Sequence, residues 1–162
     1  MSLLVVGSVA LDTVETPSDR RDDLVGGSAV HFACAASFFA PVRLVGVVGE
    51  DWPDQHTAFL NSRRVDTAGL TTIAGGETFR WSGRYESNMN HRETIETHLN
   101  VFEFFDPILP DNYRDSQYVF LANGLPRLQG KVLDQIPNVR LAVADTMDFW
   151  IHHNHGELME LL

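Results

Sequence analysis

A chain of 162 residues is long enough for one domain with a sizeable core. Its formal net charge of −10, from 22 acidic and 12 basic residues, disfavours a nucleic-acid partner. The single cysteine, Cys34, excludes an internal disulfide and points to a reducing cytoplasm, and no apolar run reaches the length of a membrane span.

Leu3 to Gly7 is a short apolar run ended by glycine, the pattern of a strand covered on both faces. Asp12 to Asp23 is polar and carries Pro17, and it reads as a connection. Gly26-Gly27-Ser28 then leads into Ala29 to Ala40, whose small residues suit a tightly packed helix. Ser28 is the expected N-cap and Pro41 the stop. Arg43 to Val48 is the next strand, and Pro53 opens a helix to about Arg63.

The middle of the chain differs. Leu70 to Thr72, Thr78 to Glu86 and Glu93 to Phe102 are rich in threonine, aromatics and charge, and they predict a small antiparallel excursion over residues 70–102. Strand–helix alternation then resumes with strands at Tyr118–Ala122 and Val139–Ala144 and helices at Pro126–Gln135 and His155–Leu162. The fold class is α/β, with a parallel sheet flanked by helices and right-handed crossovers. The last strand is expected to leave an open sheet edge.

Ligands of such sheets bind beyond the carboxyl ends of the strands. Asp12, Gly26, Gly27, Asn123 and Asp145 all fall at or just after strand ends. A carboxylate at Asp12 can accept hydrogen bonds from two neighbouring hydroxyls of a polyol, or else cap a turn. The two glycines permit close approach of a ligand to the backbone, or else a tight turn. Ser28 and His31, one helical turn apart, share a face of that helix. The acids Glu50 and Asp51 are read as holding the turn after the second strand. Cys34 is read as packing. His152, His153 and His155 with Asp148 do not have the spacing of a metal site, so no metal is expected.

The ordered set Val5-Val6-Gly7-Ser8-Val9-Ala10-Leu11-Asp12, Gly26-Gly27-Ser28-Ala29-Val30-His31-Phe32-Ala33 and Arg43 through Asp51 resembles the opening of ribokinase (PfkB) family carbohydrate kinases. The resemblance covers essentially the whole chain, as a single incomplete domain of residues 1–162. It implies a parallel α/β sandwich with a β lid over the sugar site, the lid being residues 70–102. It implies that Asp12, Gly26, Gly27, Ser28, His31 and Asn123 contact a sugar or nucleoside, with Asp145 near the same crevice. Arg80, Arg84 and Asn88 would be lid contacts. The parent reaction moves the γ-phosphate of ATP, with Mg2+, to a substrate hydroxyl. The family's later Asn-x-x-Glu and Gly-Ala-Gly-Asp motifs, which organise magnesium and phosphate and supply the base, are expected outside this stretch. No catalytic residue is therefore assigned here, and the 162 residues by themselves are expected to be inactive and to bind ATP and Mg2+ weakly. The alternatives are a non-catalytic sugar-binding or partner-completed module, or a truncated remnant. Homodimers through the lid or the open edge are expected.

Overall fold

The computed structural model describes residues 3–162. Five strands form one parallel sheet: β1 (Leu3–Val6), β4 (Val42–Gly49), β5 (Val65–Ile73), β8 (Tyr118–Leu121) and β9 (Leu141–Ala144), in the order β5-β4-β1-β8-β9. Four more form a second sheet in the order β3-β2-β6-β7: β2 (Ala10–Glu15), β3 (Arg20–Gly26), β6 (Phe79–Tyr85) and β7 (Arg92–His98). The helices are α1 (Ser28–Ala36), α2 (Asp54–Ser62), α3 (Pro126–Asp134), α4 (Asp148–His153) and α5 (His155–Leu161).

Alternation along β1 sorts its side chains onto two cores. Val5 packs with Ala29, Val30 and Ala33 of α1 and Leu60 of α2. Leu4 and Val6 pack on the other face with Val119, Leu121, Val132 of α3, Leu109 and Tyr113. Helices therefore cover both faces of the parallel sheet. Among the described residues no helix is long and apolar enough to cross a membrane.

Several sequence expectations shift. The polar stretch from Asp12 is not a connection: it enters an antiparallel pair, β2 with β3, whose exposed charges mask the strand pattern. Leu70–Thr72 lies in β5, a strand of the parallel sheet, so the second sheet is built from residues 10–26 and 79–98 instead. Helix α1 ends at Ala36, earlier than expected, and Ser28 is its first residue rather than its cap. Gly27 occupies the cap position with no side-chain bond, at φ 92°, where its missing Cβ also avoids the backbone of Ser8 and Val9. The capping is done from outside the helix. Ser8 Oγ accepts the Ser28 N–H at 3.1 Å and the Ser8 carbonyl accepts the Ala29 N–H at 3.2 Å. Among the described residues β9 lies at one end of its sheet, with Leu141 and Val143 about half exposed.

Candidate functional site

The glycine pair, the start of α1 and Asp12 meet in one place. Asp12 on β2 lies opposite Leu24 on β3, and its carboxylate fills the space where a Cβ on Gly26 would stand. Burial pushes the Asp12 carboxyl above its ordinary value, with His31 and Arg92 pulling it partly back. His31 is exposed on the first turn of α1. Ser28 Oγ is 3.1 Å from Ser8 Oγ, so this serine belongs to the Ser8 clamp on the helix start. Asp12, Gly26, Gly27, Ser28 and His31 are thus one cluster, with a half-buried carboxylate facing an exposed imidazole.

The second sheet rises over this cluster. Side chains alternate along its strands, and β2 pairs with β6 in unbroken register from Ala10–Phe79 to Glu15–Arg84. One face therefore carries Asp12, Val14, Phe79, Trp81 and Tyr85. The other carries Leu11, Thr13, Glu15, Arg80 and Arg84. Phe79 stacks on Phe102 with ring centroids 5.5 Å apart, and Phe102 on Phe105 at 5.7 Å. Phe102 in turn borders a small cavity, about 20 Å³, at the ends of β1 and β8, lined by Val6, Gly7, Leu121 and Ala122. The Asp12 face is consequently turned, at Phe79, toward the ends of β1 and β8, while Leu11 on the other face is buried against α1.

Arg80 and Arg84, expected as lid contacts, point the other way. Arg80 donates to Asp23 Oδ1 at 2.6 Å and to Asp51 Oδ2 at 2.8 Å, and Arg84 donates to Glu15 Oε1 at 2.9 Å. Both guanidiniums are engaged in holding the back of the lid. Asn88 sits in the exposed turn between β6 and β7, where its Oδ1 accepts the Asn90 N–H at 2.9 Å. In their place the Asp12 face carries Trp81, directly opposite Asp12 across the strand pair. Arg92 at the start of β7 lies with its guanidinium carbon 5.1 Å from the centroid of the Trp81 ring. The strand register was the missing signal: it depends on where β2 begins, which the charged composition hides.

Asn123 follows β8, but its amide is occupied. Its Oδ1 accepts from Trp150 Nε1 at 2.9 Å and its Nδ2 donates to Met147 Sδ at 3.1 Å, so it fastens α4. Asp145 follows β9, half-buried, with its N–H bonded to the Leu121 carbonyl at 2.8 Å. Gln129, buried on α3, draws these ends together, donating from Nε2 to the carbonyls of Leu121, Ala122 and Asp145 at 3.0–3.2 Å. His153 Nδ1 is 2.8 Å from the Phe149 carbonyl, and its ring stacks on Phe149 rather than on the other histidines. Among the described residues no three His, Cys, Asp or Glu side chains could hold a metal ion.

The turn after β4 does more than its sequence suggests. Thr78, fully buried at the root of the lid, donates both its N–H and its hydroxyl to Asp51 Oδ1 at 2.7 Å, and its hydroxyl accepts the Gly49 N–H at 2.9 Å. Burial alone would raise the Asp51 carboxyl; the bonds from Thr78 and Arg80 outweigh it and hold it below its ordinary value.

The letters Asn-x-x-Glu do occur, at Asn90–Glu93, Asn100–Glu103 and Asn154–Glu157. Asn90 lies in the exposed turn between β6 and β7, and the other two asparagines are used locally. Asn100 Nδ2 donates to the Thr78 carbonyl at 2.9 Å, and Asn154 Nδ2 to Glu157 Oε2 at 3.4 Å.

No family model matches the chain. It is 28% identical over 145 residues to a cytidine kinase of Thermococcus kodakarensis, covering 88% of this chain and 51% of that protein. Its structure is similar to a nucleoside kinase of Methanocaldococcus jannaschii, described as an archaeal member of the ribokinase family. The TM-score is 0.81 at 18% identity, over 99% of this chain and 57% of that one. It is also similar to a ribokinase of Cryptococcus neoformans solved with ADP, with TM-score 0.56 at 19% identity, over 76% of this chain and 40% of that one. The chain has the ribokinase-like fold and spans about half the length of these relatives.

Proposed function

We propose that this chain is a ribokinase-family protein forming the substrate-binding and lid part of an ATP-dependent kinase, one that phosphorylates a hydroxyl of a sugar or nucleoside. The observation that carries the reading is the Asp12 carboxylate. It is half-buried, set against a glycine pair with no side chains in the way, faced by His31 and roofed by a β sheet. An ionised carboxylate in that position accepts hydrogen bonds from two adjacent hydroxyls, which fixes a polyol in register. The exposed imidazole of His31 can donate to or accept from a third oxygen. Closure of the roof excludes water, which strengthens these contacts and protects a phosphoryl group in transfer from hydrolysis.

ATP supplies the phosphoryl group, and magnesium would neutralise its charge. No described residue is assigned to either. Asn100 and Asn154 are engaged in local bonds, and the described residues offer no ready metal cluster. A second reading has the chain bind the polyol while another polypeptide completes the reaction.

Thermal denaturation of the purified chain with a panel of sugars and nucleosides, each with and without Mg-ATP, tests the assignment. A ligand that binds only the folded state raises Tm. At least one polyol should do so, and Asp12→Ala should remove the shift. A shift that survives Asp12→Ala, or none across the panel, sinks the reading. Turnover of ATP by the chain alone would rule out the second one.

A further inference from the structure

We infer that the lid face of this site reads an aromatic base, and that Trp81 and Arg92 are the residues that read it. The inference rests on the proposed polyol site and names its substrate class, a nucleoside rather than a free sugar. Asp12 and Trp81 are paired across β2 and β6, one strand spacing apart and on the same face. A ribose gripped by its hydroxyls at Asp12 therefore presents its C1 substituent along the lid surface, over the neighbouring strand. What it meets there is a flat surface. The Trp81 ring packs on Gly83, occupying the space a side chain there would need, and its outer face is the one that Arg92 lies over. Trp81 Nε1 is tied to Thr94 Oγ1 at 3.3 Å, which fixes the ring's rotation.

Arg92 covers that outer face. Its guanidinium lies over the ring, and it is close enough to Asp12 to act on that carboxylate's charge. Arg92 is exposed, so the cation–π contact it makes is of the weak, solvated kind. A base stacked on an indole gains more than such a contact provides, and a base of any sequence can stack because each has a π face. The base accordingly displaces Arg92 from the indole. The side chain is then free to lie over the base's second face as a planar cation. A free pentose or hexose has no π face, so it gains nothing from Trp81 and leaves Arg92 where it is.

The test is calorimetric titration of the purified chain with ribose, adenosine, cytidine and uridine. The nucleosides should bind about tenfold or more tightly than ribose, the span expected of one stacking contact. Trp81→Leu should remove that advantage while changing ribose affinity less than about twofold, and Trp81→Phe, which keeps a plane, should restore most of it. Quenching of indole fluorescence by nucleoside but not by ribose should vanish in Trp81→Phe and persist in Trp150→Phe. Ribose binding that depends on Asp12 with no nucleoside preference overturns this inference and leaves the polyol site standing. So does equal weakening of both ligands by Trp81→Leu. Absence of any Asp12-dependent binding overturns both.

Discussion

Replacing Asp51 with alanine should unhinge the lid at its root. The carboxylate accepts two bonds from Thr78, which is fully buried, and one from Arg80, which is partly exposed. The Thr78 N–H is a donor on a fully buried residue, and losing its acceptor costs about 1–3 kcal/mol. The hydroxyl can rotate and recover part of its bond, and the Arg80 contact, being solvated, adds well under about 1 kcal/mol. Together these give about 3 kcal/mol. For a chain of this length, about 2–4 °C per kcal/mol puts the fall in Tm at about 6–12 °C. Asp51→Asn keeps an acceptor oxygen and loses only charge, so its fall should be about a third as large. The carboxyl lies below its ordinary value of 3.8 in the folded state. Its contribution is therefore fully present above that value and is lost as pH falls through the folded one. Circular dichroism melts from pH 7 down to 3 should show the difference between wild type and Asp51→Asn shrinking toward the acid end. A Tm for Asp51→Ala within 2 °C of wild type, at about the precision of the comparison, would refute the role given to this turn.

Gly26→Ala places a methyl group on the Asp12 carboxylate; ligand affinity should drop about tenfold or more while the melt moves far less, measured by calorimetry beside circular dichroism. Asp12 is raised by burial, so in the free protein its ionised form is the disfavoured one, and its contribution to stability is lost as pH rises through the folded value. Asp12→Asn should therefore raise Tm at neutral pH while abolishing ligand binding, and a fall in Tm would contradict the burial argument. In the wild type, ligand affinity should weaken on acidification at a higher pH than an ordinary carboxylate allows.

Four strands of the parallel sheet were legible because each is a short apolar run bracketed by glycine, proline or a polar residue; β5, Val65–Ile73, mixes Asp66 and three threonines with its apolar residues and was not. Leu3–Val6 and Tyr118–Leu121 cannot be buried on both faces in any other way. The lid was half legible. Phe79–Tyr85 alternates, but Ala10–Glu15 mixes buried apolar with half-buried polar residues and Arg20–Gly26 is exposed over its first five, and their polar side chains pair with one another or with β6: Thr13 with Asp22, Glu15 with Arg84, Asp23 with Arg80. Neither strand shows the clean apolar alternation that would reveal it. The error propagated to the site. Without β2, nothing says that Arg80 and Arg84 share a face with Glu15 rather than with Asp12, and a one-residue shift in a strand exchanges its faces. Asn123 shows a different limit. Its place after a strand was right, but its amide is spent on Trp150 and Met147, 27 and 24 residues further on, and no local pattern reports that.

The same register explains how the lid can be firm at its base and yielding at its tip. At the level of Thr78–Arg80 it is fastened from both faces: Arg80 to Asp51 on one, Phe79 to Phe102 on the other, with Thr78 buried between them. Beyond Trp81 the back face carries only exposed ion pairs such as Arg84–Glu15, and β7 is exposed along its whole length. Exposed pairs of this kind contribute about 0–1 kcal/mol each, too little to hold a two-sided wet ribbon rigid. Bending is therefore expected distal to Trp81, in the stretch that includes Arg92 and the turn at Glu86–His91, while Asp12 and the indole stay fixed relative to each other. A site divided in this way grips its ligand with the fixed pair and adapts with the mobile arginine. Hydrogen exchange should follow that division, with protection at Thr78–Trp81 approaching that of β1 and falling away by Tyr85. Uniform exchange along β6 would mean that the lid moves as one body and that Arg92 is no more free than Trp81.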